Sequence, residues 1–306
     1  MMYELDARFL PLIKAVASVL YGKEESITLA LAAFFAKGHL LVEDIPGVGK
    51  TTLAKALASL LGLAFNRIQF TSDLLPSDIL GVNYFNQKES EFVFKKGPIF
   101  TQFLLADEIN RSMPKTQSAL LEAMEEDSIT VDGERYELEQ PFFVMGTQNP
   151  YEEVGTFKLP DSQLDRFICA MSIGYPARDA EREILAQKKP KTLPPATRIT
   201  PEEIKEIQDG VNSVYLSDAL LDYLQAIIAL SRNGVHFTHG LSTRGALALA
   251  QMTRSWAYLH GRTYAIPDDA TAVAPYVCLH RLHFKEGRTT LERIRDVITS
   301  NTQPDA

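Results

Sequence analysis

The residues Gly47-Val48-Gly49-Lys50-Thr51-Thr52 stand behind a short apolar run, Leu40-Leu41-Val42, and at the head of a segment with helical apolar spacing over 50–61. Glycines in such a turn let the backbone approach a bulky anion, and successive N–H groups then line one concavity. A lysine and a hydroxyl at the start of the following helix add a mobile cation and an oxygen donor. That combination holds the phosphates of a nucleoside triphosphate and its Mg²⁺, with the positive helix end behind them. The candidate nucleotide-binding residues are therefore Pro46, Gly47, Val48, Gly49, Lys50, Thr51 and Thr52, with Lys50 reaching the β- and γ-phosphates and Thr51 binding the metal. Asp44 departs from the general pattern, standing where a glycine would open the loop.

A second constellation is Leu104-Leu105-Ala106-Asp107-Glu108, an apolar strand that ends in two acids. Adjacent carboxylates at the exit of a buried strand are costly without a nearby cation. Asp107 can hold Mg²⁺ through water, and Glu108 can orient a water for in-line attack on a γ-phosphate. A solvated turn after a core strand has the same composition, and the phosphate loop upstream favours the chemical reading. Thr147-Gln148-Asn149-Pro150 follows the apolar segment 142–146; Asn149 could contact the γ-phosphate or the attacking water, or simply make an Asn-Pro turn. The segment 159–167 places Arg166 in an apolar-flanked helix, where it could stabilise transition-state charge or pair with Asp161 or Asp165. Arg244 opens a helix in the last third of the chain, a place where the dipole slightly disfavours a merely solvated cation.

These residues need a scaffold that brings loop ends together. Helical periodicity covers most of 4–36, and Gly38 closes it. Short apolar runs at 40–42, 64–70, 103–106 and 142–146 read as strands, those flanked by helices as a parallel sheet buried on both faces. Alternating stretches around polar turns predict β-hairpins over 80–98 and 128–140, the second through Asp132-Gly133. The Lys- and Pro-rich stretch 188–195 reads as a linker, and everything after it is helical, beginning with the capping pattern Thr200-Pro201-Glu202-Glu203. The expected architecture is an α/β core over 1–175, a linker over 176–195 and an all-helical domain over 196–306.

A chain of 306 residues suffices for about two domains. The formal net charge of −8 disfavours broad attraction to nucleic acid or anionic membrane. The start lacks the basic stretch of a signal peptide, and no apolar run approaches the roughly 20 residues of a membrane span. A cytoplasmic protein is expected. Cys169 and Cys278 sit in apolar sequence and read as buried free thiols. His236-x-x-His239 and His280-x-x-His283 have metal-compatible spacing but no third ligand nearby.

Together with the stretches 67–81, Asp107-Glu108-Ile109-Asn110-Arg111, 114–124 and Leu164-Asp165-Arg166-Phe167, these motifs resemble a MoxR-type AAA+ ATPase of the helix-2-insert group. The similarity extends through Gly261-Arg262 and His280-Arg281-Leu282. The resemblance implies a P-loop AAA+ core with a helical lid. It places Lys50 and Thr51 on Walker A, Asp107 and Glu108 on Walker B, Asn149 on sensor 1, Arg166 on the arginine finger and Arg244 on sensor 2. The 80–98 and 128–140 hairpins match the family's two inserts; the role of Arg111 stays open between trans-acting and structural. It further implies ATP and Mg²⁺ as cofactors and a homo-oligomeric ring, most often a hexamer. Lys50, Asp107, Glu108, Asn149 and Arg244 would act in cis and Arg166 on the next site. The implied partner is a client or adaptor protein, in this family often one with a von Willebrand A-type domain.

Two rival functions remain. A DNA-remodelling motor would need basic inner hairpins, whereas 128–140 carries Asp132, Glu134, Arg135, Glu137 and Glu139. A nucleotide-gated binding module with little hydrolysis would have no use for Glu108.

Overall fold

The computed structural model describes residues 5–150, 154–186 and 198–302. Helices α1 (Leu10–Ala17) and α2 (Glu24–Phe35) lead into strand β1 (His39–Glu43), and the loop after it opens α3 (Lys50–Leu60). Strand β2 (Phe65–Gln69), the short α4 (Pro76–Leu80), the hairpin β3 (Gly81–Asn86) and β4 (Glu91–Lys96), and β5 (Phe103–Asp107) follow. A 3-10 turn at Ile109–Arg111 precedes α5 (Pro114–Glu126), the hairpin β6 (Ser128–Val131) and β7 (Glu134–Glu137), and β8 (Phe143–Gln148). The core closes with α6 (Asp161–Leu164) and β9 (Phe167–Met171).

The main sheet has five parallel strands in the order β2-β5-β8-β1-β9. Its central strands are buried up to their carboxyl ends, where Glu43 and Gln148 are half-buried, because both faces are covered. Leu40 and Val42 point into the cluster shared with α2 and α3, while Leu41 points into the cluster under α5. In a parallel sheet all carboxyl ends share one edge, and ligands bind in the crevice there. The loop after β1, the acids after β5 and the amide after β8 are thereby gathered on that edge.

The two hairpins form as expected. Asp132 (φ +52) and Gly133 (φ +87) supply the left-handed pair that a two-residue hairpin turn requires. The hairpins touch: Phe94 stacks on Tyr136 with ring centroids 4.2 Å apart, and Asn83 donates to the Asp132 carboxylate at 2.7 Å.

Two expectations need correction. Arg166 is not in a helix: α6 ends at Leu164 with Asp165 as its C-cap, and Arg166 occupies the turn into β9, a strand the apolar pattern alone did not separate from the preceding helix. The segment 176–195 is not wholly a linker, since Arg178–Leu185 is helix α7; the Lys- and Pro-rich stretch 188–195 lies outside the described residues.

After residue 198 the chain is helical: α8 (Pro201–Asn212), α9 (Asp218–Arg232), α10 (Thr243–Leu259), α11 (Pro267–Cys278) and α12 (Leu291–Asn301). The expected capping box is made, with Thr200 Oγ1 accepting from Glu203 N–H at 3.2 Å and the Glu203 carboxylate accepting from Thr200 N–H at 2.7 Å. These helices are continuous with the core through α2: Ser255 donates to the Ala32 carbonyl at 2.8 Å, and Leu249 and Met252 join the apolar cluster of Leu31 and Phe35. Cys169 and Cys278 are both buried and free, and burial raises each thiol to about 12. Among the described residues no helix is long and apolar enough to cross a membrane, and no group of three or more His, Cys, Asp or Glu is placed to hold a metal ion.

Candidate nucleotide site

The turn between β1 and α3 needs glycine at two places. Gly47 (φ +86) and Gly49 (φ +101) lie in the left-handed region. An added Cβ on Gly47 would meet nothing within 4 Å, which leaves room for a phosphate against the backbone. Gly49 instead rests on Leu20, whose Cδ1 would lie 2.7 Å from an added Cβ, so the N-terminal segment braces the loop. Lys50 Nζ folds over the concavity and donates to the carbonyls of Asp44 and Ile45 at 2.7 and 3.2 Å. Burial lowers its pKa, while Asp44, Asp107 and Glu108 act to raise it, so both acids of the second constellation lie within electrostatic reach of the ammonium. Pro46 is exposed and Val48 buried, and Thr51 and Thr52 follow Lys50 in the first turn of α3.

Asp44 does what no glycine could. Its buried Oδ2 accepts from the N–H groups of Ile173 and Gly174, each at 2.7 Å, and from Ser172 Oγ at 3.0 Å; Oδ1 accepts from Ile45 N–H at 2.9 Å. The carboxylate ties the entry of the loop to the chain leaving β9.

Across β8, Asp107 and Glu108 end β5. With neighbouring strands about 4.8 Å apart, they stand roughly 10 Å from the β1 axis. Glu108 adopts φ +58, a left-handed conformation that costs a non-glycine residue about 1–3 kcal/mol. Thr147 holds it there: its hydroxyl accepts from Glu108 N–H at 2.9 Å and donates to Asp107 Oδ1 at 2.6 Å. Arg67 reaches Asp107 Oδ2 at 2.7 Å, Gln69 donates to Glu108 Oε2 at 2.7 Å, and Arg111 lies 3.1 Å from the same Glu108 oxygen. Asn149 follows β8 on this carboxyl edge, half-buried, and Gln148 beside it donates to Glu43, a carboxyl that burial pushes up.

The remaining arginines are elsewhere. Phe167 pairs with His39, the first residue of β1, so Arg166 lies on the amino edge of the sheet. A five-residue strand separates it from the loop after Glu43 by roughly 13 Å. Arg166 Nη2 lies 2.8 Å from Glu125 Oε2, and Arg244 Nη2 pairs with Oε1 of the same carboxylate at the end of α5. The structure thus brings Arg244 together with Arg166 on Glu125, not with Lys50. Arg166 pairs with neither Asp161 nor Asp165, because Asp165 is taken by Ser242 and by Arg281, at 2.6 Å each. Arg281 also donates to the carbonyls of Asp165, Phe167 and Ile168 at 3.0, 2.6 and 3.0 Å, and so fixes the backbone on both sides of Arg166. A cavity of about 550 Å³ opens on this amino edge beside Glu125 and His39, away from the phosphate loop.

Sequence reasoning missed Thr147, Arg67, Gln69, Glu125 and Arg281 as members of these clusters. Arg67 and Gln69 carried a signal, since polar residues at i and i+2 of a strand share one face. The others come together only through the fold.

A glycine loop opening a helix, two acids one strand away, and an amide on the strand between them define a P-loop nucleotide-binding core of the AAA+ kind. Residues 39–169 match the ATPase family associated with various cellular activities (AAA), and residues 229–300 match the AAA lid domain. The chain is 47% identical over 274 residues to the uncharacterized protein YeaC of Bacillus subtilis, covering 88% of this chain and 85% of that one. It is 37% identical over 277 residues to Chaperone MoxR1 of Mycobacterium tuberculosis, covering 87% and 73%. A crystal structure from Cytophaga hutchinsonii, of a protein provisionally assigned as an ATPase, superposes with a TM-score of 0.87 at 33% identity, covering 98% and 95%. The chain belongs to the MoxR family of AAA+ ATPases.

Proposed function

We propose that the protein hydrolyses ATP in a ring of identical subunits, most simply a hexamer, and uses the cycle to remodel or mature a client protein in the cytoplasm. The observation that carries this reading is the separation of the charged groups: Lys50, Asp107 and Glu108 gather on the carboxyl edge, while Arg166 and Arg244 stand together on the amino edge. A subunit arranged so has binding and water-activating groups on one edge, with Arg67 and Arg111 engaged by the two acids, and carries Arg166 and Arg244 on the other. A neighbouring copy can supply both.

In this account the N–H groups of 47–52 cradle the phosphates, and Lys50 exchanges its bonds to the Asp44 and Ile45 carbonyls for phosphate oxygens. The donor set fits Mg²⁺, a hard cation that prefers oxygen: the Thr51 hydroxyl and the Asp107 carboxylate would hold it, the latter through water. When bound, the metal neutralises charge on the transferred phosphoryl group. Glu108, aimed by Thr147, takes the proton from the attacking water, and Asn149 orients that water or the γ-phosphate. Arg166 and Arg244 of the adjacent subunit meet the charge that develops in the transition state. Sedimentation analysis with and without nucleotide, run beside ATPase assays, tests the reading: activity carried by monomers refutes it.

The output falls to the paired hairpins, whose Phe94–Tyr136 stack and Asn83–Asp132 bond make them move together. Phe92 at their tip is 75% exposed, a surface suited to an unfolding polypeptide or an adaptor such as a von Willebrand A-type domain. The acidic turn at Asp132 and Glu134 disfavours DNA as the cargo.

A further inference from the structure

The pair Arg67 and Gln69 lies on β2, the edge strand beside the two acids, in the register Arg67↔Leu105 and Gln69↔Asp107. Arg67 Nε and Nη2 both reach Asp107 Oδ2, at 3.2 and 2.7 Å, while the other carboxylate oxygen takes the Thr147 hydroxyl at 2.6 Å. Both oxygens of Asp107 are therefore committed, one of them to a cation. Arg67 Nη2 also donates to Gln69 Oε1 at 2.8 Å, and Gln69 Nε2 donates to Glu108 Oε2 at 2.7 Å, so one chain of bonds runs through both acids. The Asp107 side chain is 10% exposed and needs a counter-charge, whereas the Arg67 side chain is 45% exposed and long enough to swing into solvent.

We propose that Arg67 is an internal stand-in for the metal: it neutralises Asp107 while the nucleotide site is empty and must leave Oδ2 before that oxygen can hold a magnesium-bound water. Arg67 then sets the magnesium dependence of nucleotide binding. Its departure also frees one end of Gln69, whose other end holds Glu108 beside Arg111. The inference rests on the reading of Asp107 as the metal-holding acid.

The test is equilibrium binding of a fluorescent ATP analogue to the full chain across a Mg²⁺ titration, read as the Mg²⁺ concentration at half-maximal binding. Arg67→Gln is expected to lower that midpoint about three- to tenfold, the scale of one partly exposed ion pair. Asp107→Asn is expected to raise it. A midpoint unchanged or raised in Arg67→Gln, with Asp107→Asn raised, overturns the stand-in role and leaves the metal reading intact. A midpoint unchanged in Asp107→Asn overturns the metal reading itself. Should Arg67→Gln fail to fold, Arg67→Lys, which keeps the charge but loses the forked contact, is expected to shift the midpoint down by a smaller factor; no shift or an upward one counts against the proposal.

Discussion

Arg166 and Arg244 grip opposite oxygens of one carboxylate, Glu125, on the sheet edge remote from Lys50. A single acid facing two guanidinium groups leaves a net positive patch, and the Arg166 Nε is buried without a hydrogen-bond partner. Such a patch suits an anion presented from outside, and the triphosphate on a second copy of the chain has that chemistry.

For Arg244, the arrangement separates binding from turnover. Arg244→Ala is expected to lower steady-state ATPase activity by up to about 10³-fold, the low end for a lost transition-state arginine. It should leave the nucleotide affinity of the dilute, unassembled subunit unchanged. Fluorescent-nucleotide titration at low protein concentration checks this, and a fall in affinity there would return Arg244 to its own site.

Thr147 aims Glu108 without touching nucleotide in the account above. Thr147→Val removes a donor and an acceptor together and should cost about 1–3 kcal/mol of stability. It should also reduce kcat by about tenfold or more with little change in KM. Glu108→Gln should retain nucleotide binding while kcat falls about 10²- to 10⁴-fold. Equal losses in kcat and in affinity for either variant would mean that the loop, not the water, had been disturbed.

Asp44 is a structural acid. Asp44→Ala strands the N–H groups of Ile173 and Gly174 and should destabilise the chain by about 2–4 kcal/mol, measured by urea unfolding. Asp44→Gly, which restores the more general loop pattern, should be no better, because the bonds to the chain after β9 are still lost. Wild-type stability in either variant contradicts this role.

Acid should loosen the fold through two buried imidazoles. Desolvation depresses both His39 and His280, and the Arg281 charge depresses His280 further. Below the ordinary histidine value of about 6.5 the unfolded chain binds these protons and the folded chain resists them, so their contribution is present above that pH and lost as pH falls. Glu43, pushed up by burial, acts with the opposite sign, so the measurement is a difference. Between about pH 7 and about pH 5 the urea midpoint of wild type should fall more steeply than that of His280→Asn. Parallel slopes would remove His280 from the account.

The phosphate loop and the acids of β5 were legible because their chemistry is local: each is a few consecutive residues between an apolar strand and a turn or helix. Both hairpins were legible for the same reason, through alternation and an Asp-Gly turn. The partners of Arg166 were not, because Glu125 lies 41 positions upstream and meets it only when α5 runs back along the sheet. Strand β9 was hidden by its short spacing from α6, a single turn with no glycine or proline to mark it. Asp44 looked like a flaw in a motif until its partners appeared more than a hundred positions downstream.

The central claim is that catalysis is shared between subunits, and mixing two inactive variants tests it most directly. Glu108→Gln supplies intact arginines but no water-activating acid, and Arg166→Ala supplies the acid but no finger. The account predicts that each alone is inactive, that the mixture recovers part of the wild-type ATPase rate, and that wild-type specific activity rises with protein concentration. A mixture as inactive as its components, with specific activity flat across concentration, would contradict it and leave Arg166 a local partner of Glu125.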